Sequence, residues 1–338
     1  MLSKKDLFEL AKATICANPA SPVAYSFKEE KYGHDELNDL LRKELNELAG
    51  SYALYRKNKN TIFELMEEVF DTVLPKKVIE QYGDFAEIKT FKQGDKPVFT
   101  QRITSFAKRR AKKFVTKVGL AGIYEVFKLD GTSLEIPTTA FGGAAQIAFE
   151  EFLDGRVQMS DVLDIVMEGL DEQVYYEIEK ALSAAVERMP QANIKSYNGF
   201  DEATFDELIS IADSYGQAVI YCTYELAAKI VPATNWISED MKNLRWNKGH
   251  LGNYKGHKIV AFEQSYTDET NATKVIDPSY AWIIPIGADK PVKIAFEGQT
   301  IVTDFDNADR SKEIQIYKKF GVGVMATNNI CRYEDLSL

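Results

Sequence analysis

The chain carries three histidines, His34, His250 and His257, and three cysteines, Cys16, Cys222 and Cys331. A Ser-His-Asp site would need one of those histidines beside a serine on a nucleophile elbow, and no such motif is present. His34-Asp-Glu-Leu-Asn lacks the second histidine with which a zincin helix holds its metal. The stretch from Gly249-His250-Leu251-Gly252 to Gly256-His257 is neither GxGxxG nor a phosphate loop ending in Gly-Lys-Ser/Thr. It reads as turn glycines beside a strand, with both histidines exposed or hydrogen-bonded in loops. Asp304, Asp306 and Asp309 begin like a calcium loop but lack its glycine and its terminal bidentate acid, which points to a solvated turn. The odd, widely spaced cysteines imply neither a disulfide framework nor a zinc ribbon, and a reducing cytoplasm fits them. No catalytic residue, cofactor-binding residue or metal ligand is therefore expected.

The remaining chemical feature is charge. The 338 residues include 51 acidic and 41 basic side chains, a formal net charge of -10. Residues 85–120 hold ten Lys/Arg and two acids, a local +8, whereas residues 150–190 hold eleven acids and three bases, a local −8. The run Lys108-Arg109-Arg110-Ala111-Lys112-Lys113 has the density of a nucleic-acid contact, but no aromatics interleave with it to stack on bases, and the rest of the chain is acidic. A solvated loop and a contact with an acidic protein surface are the other readings.

The elements that must carry these residues fall into several kinds. At 45 % apolar and 12 % aromatic the composition is that of a globular protein with substantial cores, about two domains by length. No apolar run approaches the roughly 18 residues of a membrane helix, and the charged N-terminus suggests no export segment. Ser3 and Asp6 form a capping box for a helix with Leu7, Leu10 and Thr14 on one face. A second helix spans His34 to Leu48, and a third, capped by Asn60, carries Ile62, Met66, Val69 and Val73 before Pro75 breaks it. The first eighty or so residues thus read as helices joined by extended arms that must pack on something else. Strand-like pieces follow at Ile88–Phe91, Phe114–Val118 and Ile123–Leu129, with Asp130-Gly131 as a hairpin turn before Thr132–Ile136.

Ser160 should cap a long helix, Asp161–Met189, with Leu163, Val166, Leu170, Val174, Ile178, Ala181, Ala185 and Met189 recurring every three or four residues. A compact α/β unit follows: helix Thr204–Tyr215, strand Ala218–Cys222, helix Thr223–Ile230, loops bearing Trp236 and Trp246, and strands His257–Phe262 and Tyr280–Ile286, ending near Gly287. The C-terminal stretch alternates as a long strand (Ile314, Ile316, Phe320, Val322, Val324, Ala326), broken once by Lys318, and should run beside the long helix.

This order of elements, with the local texts Asp201-Glu-Ala-Thr-Phe-Asp-Glu-Leu-Ile, Ala218-Val-Ile-Tyr-Cys, Gly252-Asn-Tyr-Lys-Gly-His-Lys-Ile-Val-Ala-Phe and Gly321-Val-Gly-Val-Met-Ala, resembles the major capsid proteins of tailed bacteriophages. The resemblance implies an α+β, Hong Kong 97-like fold. Its parts would be an N-terminal helical arm (1–84), an extended β-hairpin loop (85–137), a peripheral domain (138–199 and 288–338) with a spine helix (161–189), and an apical domain (200–287). It also implies a virion shell of hexamers and pentamers of this chain, assembled in the host cytoplasm with portal, scaffold and possible decoration proteins around DNA bound without sequence specificity, and no membrane. Members with a fused scaffold begin with a long charged helical region; here only a short helix and arm precede the hairpin, as in a chain without a large fused scaffold or one whose scaffold has been removed.

The other readings are an encapsulin-like cargo compartment and, from a different class, a soluble nucleic-acid-processing enzyme using the basic hairpin. On the shell reading, Lys108, Arg109, Arg110, Lys112 and Lys113 should meet Glu150, Glu151, Asp154, Asp161 and Asp164 of an adjacent subunit. At least one of the Trp236 and Trp246 indoles should become buried only on assembly.

Overall fold

The computed structural model describes residues 3–16, 25–27, 30–49, 51–100, 133–147, 159–232, 238–262, 264, 266, 270–287, 290–306, 312–325 and 328–338. Helix α1 (Lys4–Cys16) starts where Ser3 Oγ accepts the Asp6 N–H at 3.2 Å. Strands β1 (Tyr25–Phe27) and β2 (Glu30–Tyr32) form a small antiparallel ribbon before α2 (His34–Ala49). Leu7 and Leu10 of α1 and Leu37, Leu41, Leu45 and Leu48 of α2 are all buried, as their helical spacing requires.

The third helix departs from the expectation. α3 runs unbroken from Tyr52 to Tyr82, capped by the Ser51 hydroxyl, so Asn60 lies inside it and Pro75 does not end it. An interior proline costs about 3 kcal/mol. Val69, Val73, Leu74 and Val78 are completely buried around it, at roughly 1.5–3 kcal/mol per side chain, and that packing outweighs the missing hydrogen bond.

β3 (Ala86–Phe91) follows, then β4 (Val98–Thr100), β5 (Ser133–Glu135) and β6 (Thr139–Ile147). β4 and β5 pair antiparallel as the stem of an excursion whose inner strands, expected at 114–118 and 123–129, lie outside the described residues. β3, grouped by sequence with that hairpin, instead pairs in parallel with the distant residues 292–297. The long helix α4 spans Met159–Ala185, about 40 Å at 1.5 Å per residue, and passes into a 3-10 turn at Val186–Arg188. It starts a residue before Ser160, which is therefore inside it and not its cap. Val166, Leu170, Val174, Ile178 and Ala185 are buried along one face.

The remaining elements are β7 (Ile194–Tyr197), α5 (Glu202–Asp213), β8 (Gln217–Thr223), α6 (Tyr224–Lys229), α7 (Glu239–Lys248), β9 (Asn253–Tyr254), β10 (His257–Phe262), β11 (Tyr280–Ile286), β12 (Val292–Asp306), β13 (Lys312–Val324) and β14 (Cys331–Asp335). They form two larger sheets, β3-β12-β13-β6 and β7-β14-β11-β8-β10-β9. In the first, α3 lies against β12 and α4 against β13 and β6, so the long C-terminal strand does run beside the long helix. The β4–β5 stem region covers the other face. Gly321 is needed there, because a Cβ would sit 2.2 Å from the Pro137 carbonyl oxygen.

The second sheet extends past the expected limit at Gly287, because β14 returns to pair with β11 and β7. Its anchoring is polar as well as apolar. The Tyr333 hydroxyl accepts the Asp201 N–H and donates to the Gly199 carbonyl, while buried Asp335 accepts the Gly199 N–H. β8 is apolar on both faces for a structural reason. Ala218, Ile220 and Cys222 pack with α5 and α6, while Val219 and Tyr221 join the core shared with α3 and α4.

Candidate functional site

The histidines and cysteines are dispersed. His250 Nδ1 accepts the Gly252 N–H at 3.0 Å; His257 Nδ1 lies 3.2 Å from the Ala218 carbonyl, and its Nε2 3.4 Å from Asp213. Gly249, Gly252 and Gly256 have φ of 76°, 70° and 93°, the left-handed turn conformations expected of them. Burial pushes the Cys222 thiol up to about 12, so almost none of it is the thiolate a nucleophile requires. Asp304 and Asp306 lie in strand β12 and not in a turn, and Asp309 is outside the described residues. Among the described residues no group of His, Cys, Asp and Glu is placed to hold a metal ion.

The interior does contain a polar node that sequence reading missed. β12 changes register against β13 between Glu297 and Ile301, which frees backbone N–H groups in a buried place. Asp71 on α3 accepts from the Thr300 N–H at 2.9 Å and its hydroxyl at 2.6 Å; Glu67, one helical turn earlier, accepts the Val302 N–H at 3.0 Å. Lys318, 2 % exposed, crosses from β13 to donate to Asp71 at 2.6 Å and to the Gly298 carbonyl at 2.7 Å. Glu297 accepts from the Gly94 N–H and the Thr138 hydroxyl, and these hydrogen bonds hold its carboxyl below the usual range. The node fastens α3 and the β4–β5 region to the long β12–β13 pair. Two acids four residues apart on an otherwise apolar helix face, and a glycine inside a strand, were the available signals.

At the surface, Trp246 sits on helix α7 and not in a loop, and it is 90 % exposed. No residue of α7 is buried. The helix is held by its ends: Ser238 Oγ accepts the Met241 N–H, Gly249 closes it with a left-handed cap, and Arg245 donates to the Ala228 carbonyl at 3.2 Å. Ser238 followed by Glu239-Asp240, and Gly249 after Lys248, were its sequence signals. Ten residues are marginal as a free helix in water, so α7 is built to present Leu244 and Trp246 outward. The other expected contacts lie between neighbouring copies of the chain. Lys108, Arg109, Arg110, Lys112, Lys113, Glu150, Glu151, Asp154 and Trp236 lie outside the described residues, and Asp161 and Asp164 are placed only as backbone positions in the first turns of α4.

Two mixed sheets share one core with a 27-residue helix and a long antiparallel strand pair, an arrangement found in solved phage capsids. The capsid of cyanophage P-SCSP1u superposes with a TM-score of 0.52 at 10% identity, covering 76% of this chain and 88% of that one. The head structure of Helicobacter pylori bacteriophage KHP40 does so at 0.50 and 13% identity, covering 76% and 91%. A virus-like particle from Pyrococcus furiosus gives 0.45 at 12% identity, over 78% and 98% of the two chains. No curated protein matches the sequence significantly. Across residues 7–332 the chain matches the family described as "SPbeta prophage-derived putative capsid protein YonB", and it belongs to that family. The fold is the Hong Kong 97-like fold of phage capsids.

Proposed function

We propose that the chain is the major head protein of a tailed double-stranded-DNA phage, a structural protein that assembles with copies of itself into hexamers and pentamers of an icosahedral shell. The observation that carries this is the extent of the family match, which runs from α1 to β14 and so includes the arm and stem that a compact enzyme would not need. On this reading residues 1–84 are the arm, 85–137 the extended loop, 138–199 and 288–338 the peripheral domain and 200–287 the apical domain, with β14 shared into the apical sheet. Portal and scaffold proteins are the expected partners, and packaged DNA touches the wall without sequence readout. The acidic net charge supports that last point, since a wall that is not basic does not trap the duplex. The chain works in the virion, after assembly in the host cytoplasm, and needs no cofactor or catalytic site.

Negative-stain microscopy of the purified protein tests this. Closed shells hundreds of ångströms across are expected, by the general scale of such assemblies. A small soluble oligomer under all salt and concentration conditions would overturn the proposal in favour of a soluble enzyme. Shells that retain a cellular enzyme and no DNA would point to a cargo compartment.

A further inference from the structure

Where α4 meets the six-stranded sheet, a carboxyl group stands in an aromatic cavity. Glu179, one turn beyond Tyr175 on α4, lines a space of about 30 Å³ walled by Phe85, Tyr221, Phe262 and Trp282. That is room for one or two water molecules. Glu179 Oε1 accepts the Asp277 backbone N–H at 3.2 Å, tying the helix to the segment that leads into β11. Its Oε2 is buried without a hydrogen-bond partner, and so is the Tyr221 hydroxyl on β8.

The groups facing this carboxyl come from every element around it. α4 supplies Tyr175, the segment before β11 supplies Asp277, β11 supplies Tyr280, and β8 supplies Tyr221 and Cys222. From the α3–β3 junction, Tyr82 stacks on Tyr175 at 6.0 Å, and Asp84 acts on Tyr221 through its charge. Among the described residues no lysine or arginine lines the cavity; Arg332 of β14 stands over the outer Tyr280 ring at 4.6 Å and bonds Glu334. No described cation therefore compensates an ionised Glu179. Burial, with the Asp277 charge beside it, raises this carboxyl to about 7, and the lone backbone N–H only partly opposes that.

We propose that Glu179 is a proton-operated latch between the long helix and the six-stranded sheet: neutral, it seats in the aromatic cavity and holds the Asp277 segment; ionised, it draws water inward and loosens that contact. The sign follows from linkage. The folded state binds this proton more tightly than the unfolded chain, whose glutamate titrates near 4.5, so the contribution is fully present below that pH and is lost as pH rises through about 7.

The test is hydrogen exchange of the backbone amides in 276–280 of the wild-type subunit between pH 6 and 8.5, corrected for intrinsic chemical rates. Protection should fall several-fold in wild type, by at most about tenfold per pH unit, and stay level in Glu179→Gln. Unchanged wild-type protection, or a Gln variant that follows wild type, would overturn the proposal. Should the variant not fold, glutamate carboxyl 13C shifts of the wild-type protein decide: one carboxyl should titrate between pH 6 and 8, and the latch fails if none does. Both readouts use the unassembled subunit, so they hold whether or not the chain forms shells.

Discussion

Lys318 shows how a single side chain can invert the meaning of a pattern. Among the alternating apolar residues of β13 it looks like a break, yet it lies on the same face as Ile316 and Phe320 and is as buried as they are. An ammonium in that position is tolerable only with full pairing, which Asp71 and the Gly298 carbonyl provide. Asp71→Ala should therefore cost about 3 kcal/mol, since it strands the Lys318 charge and also releases the Thr300 donors. The double variant Asp71→Leu with Lys318→Met should recover most of that loss. Urea midpoints of the three proteins measure it, and a single variant as stable as wild type would remove the pair from the stabilising set. Neither partner could be paired from sequence, because 247 positions separate them and only the fold brings them together.

Elements were legible where periodicity was strong, and misread where a local rule met a tertiary one. α2, β10 and β11 fall where their patterns put them, since Leu37, Leu41, Leu45 and Leu48 define one face and β10 and β11 are short apolar runs bounded by turns. Local chemistry alone ends α3 at Pro75, because a proline stops a helix, while the decisive packing of Val73, Leu74 and Val78 comes from other parts of the chain. If packing holds the helix through that position, Pro75→Ala should raise the melting temperature, with a gain of up to about 3 kcal/mol. No gain would mean that the local backbone is already relaxed around the ring. α4 offers the opposite test. Val174 is completely buried at the middle of its apolar face, and Val174→Asp would place an unpaired charge there at a cost on the order of 3–5 kcal/mol. Insoluble protein is expected; soluble protein with wild-type circular dichroism would mean that this face is not core. α7 escaped sequence reading because it has no apolar stripe to detect: its signals lie only in its caps, Ser238 and Gly249.

At the scale of the whole molecule, the features without an internal role are those that a neighbour would use. Trp246, 90 % exposed, adds nothing to the subunit's own core, so Trp246→Ser should leave the unfolding midpoint within about 0.5 kcal/mol while impairing assembly. A blue shift of its emission on shell formation would report the same burial, and equal emission in subunit and shell would exclude Trp246 from contacts. The charge asymmetry makes a stronger claim. Residues 85–120 carry +8 and residues 150–190 carry −8. The acidic segment includes the first turns of α4, beside the β6 edge of the four-stranded sheet. Pairing of Lys108, Arg109, Arg110, Lys112 and Lys113 with acids of an adjacent copy would contribute only about 0 to 1 kcal/mol for each exposed pair, but the contribution repeats at every interface. Such pairs are screened beyond about 10 Å at 0.1 M salt, so assembly should slow as salt rises. Reversing Lys108, Arg109 and Arg110 to Glu should leave a folded subunit that does not form shells, measured by light scattering at low salt. If these residues served nucleic acid instead, the same variant would assemble normally and lose only bound DNA or RNA. Assembly at the wild-type rate would therefore remove the basic run from the subunit interface.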